Sequence, residues 1–303
     1  MFNKAIKKNV NQIELSGYIK SLISLMKPRV MSLVVFTCAV GFLTSNPNLK
    51  TFDAIIAITL VALGSGAAGC LNMWYEADLD ALMTRTCLRP IPTGKINRQQ
   101  ALIFGILLTA FSVVSLNYFT NFLSAFLLFF TIAFYLFVYT IWLKRKTPQN
   151  IVIGGIAGSL PPVIGWTIST NSISLVPISL FLIIFFWTPS HFWALSLYKA
   201  DDYKKAKIPM MPITDGAEKT KLYILIYSLL MLPVVILPYV INFSGLIYIV
   251  PVMMLTFYYN FLCIDLYRYK KNKFDLKKAK KVFGYSILYL FLIFVLFLLD
   301  YLI

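Results

Sequence analysis

Nine stretches of this chain are each apolar and long enough to be read as membrane spans, and that feature leaves few folds open. Crossing about 30 Å of hydrocarbon takes roughly 20 helical residues at 1.5 Å each. The stretches cover residues 30–44, 52–71, 101–116, 122–143, 151–168, 175–197, 222–241, 243–264 and 282–303. Apolar residues make up 59% of the chain and charged residues 13%, too little polar surface for a water-soluble domain of 303 residues. The reading is an all-α integral membrane protein with about nine transmembrane helices. Helices satisfy this solvent because each backbone N–H and C=O is paired within its own segment.

The 28 lysines and arginines test that span count. If the chain crosses nine times, 27 of them fall on one face and Lys50 stands alone on the other. A wrong count would scatter them, so the bias predicts an N-terminus on the cytoplasmic or organelle-matrix side. The expected membrane is a bacterial inner membrane or the mitochondrial inner membrane. The net charge of +16 then reflects topology. No basic soluble domain is left to bind nucleic acid, and none is expected as a partner. Membrane lipid is one, since anionic headgroups account for the lysines between Lys270 and Lys281. Cys38, Cys70, Cys87 and Cys263 form no CxxC pair, which argues against a disulfide framework or a zinc site. The division expected is a cytoplasmic tail over 1–28 and one polytopic domain over 29–303, with catalytic loops at 72–98 and 198–219.

Those two loops share an order of events: acidic residues where an apolar helix ends, then basic residues, prolines and a glycine. The first reads EADLDALMTRTCLRPIPTG from Glu76 to Gly94, the second DDYKKAKIPMMPITDG from Asp201 to Gly216. Asn72, Glu76 and Asp80 recur every four residues, so a helix continuing past Leu71 puts them on one stripe about 6 Å apart, with Asp78 pointing elsewhere. Such a stripe is a poor structural motif, because carboxylates repel, but a good half-site for Mg²⁺. Facing Asp202, it could hold two ions bridged by a diphosphate. A plain helix end paired with Arg85 and Arg89 is the competing reading. Arg85, Arg89, Lys95, Lys144 and Arg145 suit phosphate oxygens that the metal leaves over, although topology alone could place any one of them there.

The run NMWYEADLDALMTRTCLRPIPTG resembles the first motif of the UbiA superfamily of intramembrane prenyltransferases, in the form found in its heme-farnesylating branch. Three further stretches are similar to that family: LMKPRVMSLVVFT, LKRKTPQNIVIGGIAGSLPPVIGW and HFWALSLYKADDYKKAKIPMMP. The likeness is dense from Met26 to Pro212. It implies a ring of helices around a cavity open to the cytoplasmic side. It also implies transfer of farnesyl from farnesyl diphosphate to a vinyl group of heme B, with water added, giving heme O and diphosphate. Asn72, Glu76, Asp80 and Asp202 would be catalytic, with Asp201 joining them around two Mg²⁺ ions. Enzymes of heme A synthesis or oxidase assembly are further expected partners.

The chain departs from the broader superfamily at Glu76, where many members carry aspartate. The second motif is degenerate: Asp202 is followed by Ala206, so the second ion would rely on Asp201, water or diphosphate oxygens. Lys207 stands where a small residue is common. His191, the only histidine, lies in an apolar helix, and the resemblance points to heme binding; a helix-to-helix hydrogen bond is the alternative. The aromatics of the fourth and sixth spans, Phe126, Phe129, Phe130, Phe134, Tyr135, Trp142, Phe185, Phe186, Trp187, Phe192 and Trp193, include a minority expected to face an allylic cation. The glycines and prolines from Gly154 to Gly165 predict either close helix packing or a broken helix lining the cavity. Rival readings are a related enzyme acting on a quinone precursor and an ion-coupled transporter. The transporter is disfavoured because the charges cluster at one mouth and not at the bilayer midplane.

Overall fold

The computed structural model describes residues 16–47, 49–269 and 276–303, and every regular element among them is helical. The topological lysines Lys4, Lys7, Lys8, Lys270, Lys271 and Lys273 lie outside the described residues. In chain order the helices are α1 (Ser16–Leu25), α2 (Pro28–Leu43), α3 (Thr51–Tyr75), α4 (Ala77–Leu82), α5 (Arg98–Phe119), α6 (Phe122–Ala133), α7 (Asn150–Ser159), α8 (Pro161–Thr170), α9 (Leu175–Tyr198), α10 (Ala200–Lys205), α11 (Met211–Thr214), α12 (Gly216–Val240), α13 (Leu246–Arg268) and α14 (Leu276–Leu302). Among the described residues eight helical stretches are long and apolar enough to cross a bilayer, with Phe122–Leu143 and Asn150–Thr170 each taken as one, and α1 with α2, bent by 54°, makes a ninth crossing if taken as one broken span. The second half of the expected tail is thus a helix. Its end is in the core, with Leu25 fully buried.

Neighbours around the bundle close a circuit. It runs from α2 through α3, α5, α6, α7, α9, α12 and α13 to α14, which returns to α2. The closing contact includes the rings of Phe36 and Phe291, 4.9 Å apart. Two interruptions shape this ring. Phe134–Leu143 continues α6 as a π-helical segment, in which the Lys144 N–H reaches back five residues to the Tyr139 carbonyl at 2.9 Å. Such wide turns are rare and concentrate at functional sites. The fifth span breaks at Leu160, where Pro161 and Pro162 open α8 and lack the N–H groups needed to continue α7.

Glycine sets the approach of α8 to α2. A Cβ at Gly165 would overlap the Cys38 carbonyl oxygen, and one at Gly41 that of Pro162. Small residues let membrane helices touch backbone to backbone. Close packing therefore explains Gly165, whereas nothing lies within 4 Å of a Cβ at Gly158.

Candidate active site

The stripe survives a change of helix. α3 stops at Tyr75 and Glu76 is its cap, yet the N–H of Glu76 still donates to Asn72 O at 3.0 Å and that of Asp80 to Glu76 O at 2.8 Å. Helical spacing is kept across the joint. Asn72, Glu76 and Asp80 are 2%, 3% and 3% exposed. Asp78 turns outward, its side chain 54% exposed, to pair with Arg145 at 2.9 Å. Its residual burial opposes ionisation, but the Arg145 guanidinium outweighs that and holds the carboxyl below the usual carboxylate range.

Each inward group meets a base from another part of the chain. Lys144 donates to Glu76 Oε2 at 2.6 Å, and Arg89 reaches both Asp80 oxygens at 2.8 Å. Lys27 donates to Asn72 Oδ1 at 2.6 Å, while the Asn72 amide donates to Thr140 Oγ1 at 3.0 Å. Thr140 and Lys144 are delivered by the π-helical segment and its cap, one wide turn apart. The second loop closes over the first where Arg85 donates to the Tyr203 hydroxyl at 3.1 Å. Beside Tyr203, Asp202 is 7% exposed.

Glu76 Oε1 and Asp202 Oδ2 are buried oxygens without a hydrogen-bond partner among the described residues. Leaving a carboxylate oxygen so is costly, and it marks both groups as prepared for something else. Among the described residues no three acidic, histidine or cysteine side chains converge closely enough to enclose an ion by themselves. Mg²⁺ does not require that. It habitually keeps water and takes one or two carboxylates plus substrate phosphates, so the donor set fits it.

Not every expected participant joins. Lys95 is exposed and pairs with none of these carboxylates, and Asp201 sits on the exposed side of α10. Arg145 serves Asp78 and not the inward stripe. Lys207 has φ 52°, a left-handed backbone in which glycine, lacking a Cβ, is the least strained residue. Phe126, Phe129, Phe130 and Trp142 are exposed large apolar residues, whereas Trp187 and Trp193 are buried.

Lys27, Thr140 and Tyr203 were not singled out from sequence. The signal for Lys27 was its place directly before Pro28, a residue that opens helices; Lys27 itself takes a left-handed backbone, φ 55° and ψ 56°, at the bend between α1 and α2.

His191 lies on α9, two residues after Pro189. Its ring is stacked between Trp187 and Phe283, with centroids 4.2 Å and 4.6 Å away. Nδ1 hydrogen-bonds Ser286 Oγ of α14 at 2.7 Å, and Nε2 makes no hydrogen bond among the described residues. The helix-to-helix bond is therefore present, and it occupies only one of the two ring nitrogens.

A family model described as the UbiA prenyltransferase family matches residues 33–287. A protoheme IX farnesyltransferase of Pelagibacter ubique is 70% identical over 301 residues, covering 99% of this chain and 99% of that protein. One of Parvibaculum lavamentivorans is 48% identical, covering 94% and 89% respectively. Among solved structures, one concerning digeranylgeranylglyceryl phosphate synthase in membranes has a TM-score of 0.74 at 17% identity, covering 94% of this chain and 98% of that one. A UbiA homolog from Archaeoglobus fulgidus, bound to GPP and Mg²⁺, has a TM-score of 0.66 at 18% identity, covering 91% and 99%. These structural likenesses speak for the fold alone.

Proposed function

Because the chain belongs to the UbiA prenyltransferase family, we propose that it catalyses the reaction named for its closely similar relatives, farnesyl transfer to protoheme IX. The observation carrying this is 70% identity to a protoheme IX farnesyltransferase over 99% of both chains. The site's chemistry is compatible with it. In this reading the C–O bond of farnesyl diphosphate breaks, and the farnesyl carbon bonds the outer carbon of a heme vinyl group. Positive charge is left beside the porphyrin. Water adds there and gives up a proton, so the products are heme O and diphosphate.

Glu76, Asp80, Asn72 and Asp202 are the groups that would hold Mg²⁺, whose contribution when bound is to neutralise the leaving diphosphate. Lys144, Arg89 and Lys27 already point at these side chains and would turn to the diphosphate oxygens that arrive. Arg85 and Tyr203 join the two loops, and a mouth closed in this way would limit capture of the cation by bulk water. His191 is assigned to the heme acceptor through Nε2. We place both catalytic loops on the cytoplasmic or matrix side and treat the helices from α2 onward as one domain.

The test is to supply purified protein with farnesyl diphosphate, heme B and Mg²⁺ and analyse the extracted heme by chromatography and mass. Appearance of the hydroxyethylfarnesyl product is the expected result. Diphosphate release without alteration of the heme, or prenylation of a quinone precursor instead, would overturn the assignment.

A further inference from the structure

Ser286 takes part in three short contacts at once, and the two made by its hydroxyl bear on where its proton lies. Its hydroxyl contacts Phe283 O at 2.7 Å within α14 and His191 Nδ1 at 2.7 Å across to α9. Its carbonyl accepts the indole N–H of Trp187 at 2.8 Å. A serine hydroxyl carries one proton. The Phe283 carbonyl has none, so two oxygens 2.7 Å apart there are held by the serine proton, or else oppose lone pair to lone pair. The proton is therefore committed to Phe283. Ser286 must then act as acceptor towards His191, and the proton in that bond sits on Nδ1.

A neutral imidazole with Nδ1 protonated has a bare lone pair on Nε2. The rest of the pocket holds the ring in that pose. Trp187 and Phe283 lie on its two faces at interplanar angles of 20° and 27°, and Phe192 stands edge-on at 87° with its centroid 5.1 Å away. Trp187 is itself anchored to the Ser286 carbonyl, so a single residue of α14 orients both the imidazole and one of its stacking partners. Ser286 is fully buried and its hydrogen-bond partners are His191, Phe283 and Trp187, none of them in the carboxylate loops.

We propose that Ser286 is a positioning residue: it holds His191 as the Nδ1–H tautomer and thereby presents an unprotonated Nε2 to the porphyrin. This rests on the assignment of His191 to the heme acceptor made above. A nitrogen lone pair is what a porphyrin metal or a hydrogen-bond donor on the acceptor requires, and the opposite tautomer would present an N–H that can do neither. Histidines that bind metals commonly have their second nitrogen fixed by such an outer partner, whose removal weakens binding about 10–100-fold.

The chain has one histidine, so ¹⁵N-histidine labelling of the untagged protein gives one imidazole to read. At neutral pH the wild type should show a protonated Nδ1 and an unprotonated Nε2. Ser286→Ala, which removes the acceptor and little volume, should shift the population towards Nε2–H, and Ser286→Thr, which keeps the hydroxyl, should restore it. Zinc protoporphyrin IX, a diamagnetic probe, should displace the Nε2 signal of the wild type and bind roughly 10-fold or more weakly to Ser286→Ala. If the wild-type ring is protonated on Nε2, or its tautomer is the same in Ser286→Ala, the lock is refuted, even where the porphyrin still moves Nε2. If the tautomer obeys Ser286 but the porphyrin leaves Nε2 unmoved, the assignment of His191 to heme is what fails.

Discussion

Replacing Glu76 by glutamine removes one unit of charge and almost no volume, and the amide oxygen still offers Lys144 an acceptor. The Glu76 side chain is 4% exposed and 2.6 Å from Lys144, so the charge is lost from a nearly water-free place. Electrostatic groups aimed at charge developing in such sites contribute about 10²–10³ in kcat each, or about 2.7–4 kcal/mol of barrier. Asp78 stands about half a turn away, on the opposite face. It is 54% exposed and its Arg145 partner 37%, and surface pairs of that kind contribute about 0–1 kcal/mol. Glu76→Gln should therefore lower turnover by two to three orders of magnitude, to within about tenfold of that range, and Asp78→Asn by less than about fivefold. Turnover is read from the farnesylated heme formed per unit time at saturating substrates, with thermal denaturation in detergent to establish that both variants fold. Equal losses at the two positions would refute the assignment of the inward stripe.

Lys27→Met should raise the KM for farnesyl diphosphate about 10-fold, the size of a charge-assisted hydrogen bond, while Lys95→Ala should leave it unchanged; steady-state kinetics with varied farnesyl diphosphate decides. Gly165→Ala pushes a methyl into the Cys38 carbonyl and should destabilise by about 1–3 kcal/mol or more, whereas Gly158→Ala, with open space around it, should melt at the wild-type temperature in detergent. Removing divalent metal with a chelator should abolish farnesylation and spare heme binding by absorbance titration, with Mg²⁺ restoring the activity.

The long apolar runs were legible because a bilayer imposes one length on every span, and the helices found match those runs to within a few residues at their ends, the largest shifts being the earlier starts of α12 at Gly216 and α14 at Leu276. The stripe was legible too, since spacing by four survives the joint at Glu76. What sequence hid were irregularities. The bend before Pro28 made Lys27 look like one more topological charge, although it ends beside Asn72. Nothing in FYLFVYTIWL distinguishes a π-helical stretch from an ordinary one, yet that winding carries Thr140 and Lys144 to their partners. Lys95 shows the reverse error: membership of a basic loop predicted contact, and the loop turns it outward. His191 stood out as an intramembrane ionisable group, but Ser286, 95 residues on, offered no local signal.

A ribosome making this chain releases Glu76 with 68 residues still to come before Lys144 exists to neutralise it. Asp80 waits for only nine, and Asn72 finds Lys27 already made. Glu76 caps the end of α3, and an unpaired acid is costly in hydrocarbon, so until Lys144 is made that helix end must keep its carboxylate in contact with water. Lys144, the cap of the π-helical segment, is thus the last of the stripe's partners to be synthesised.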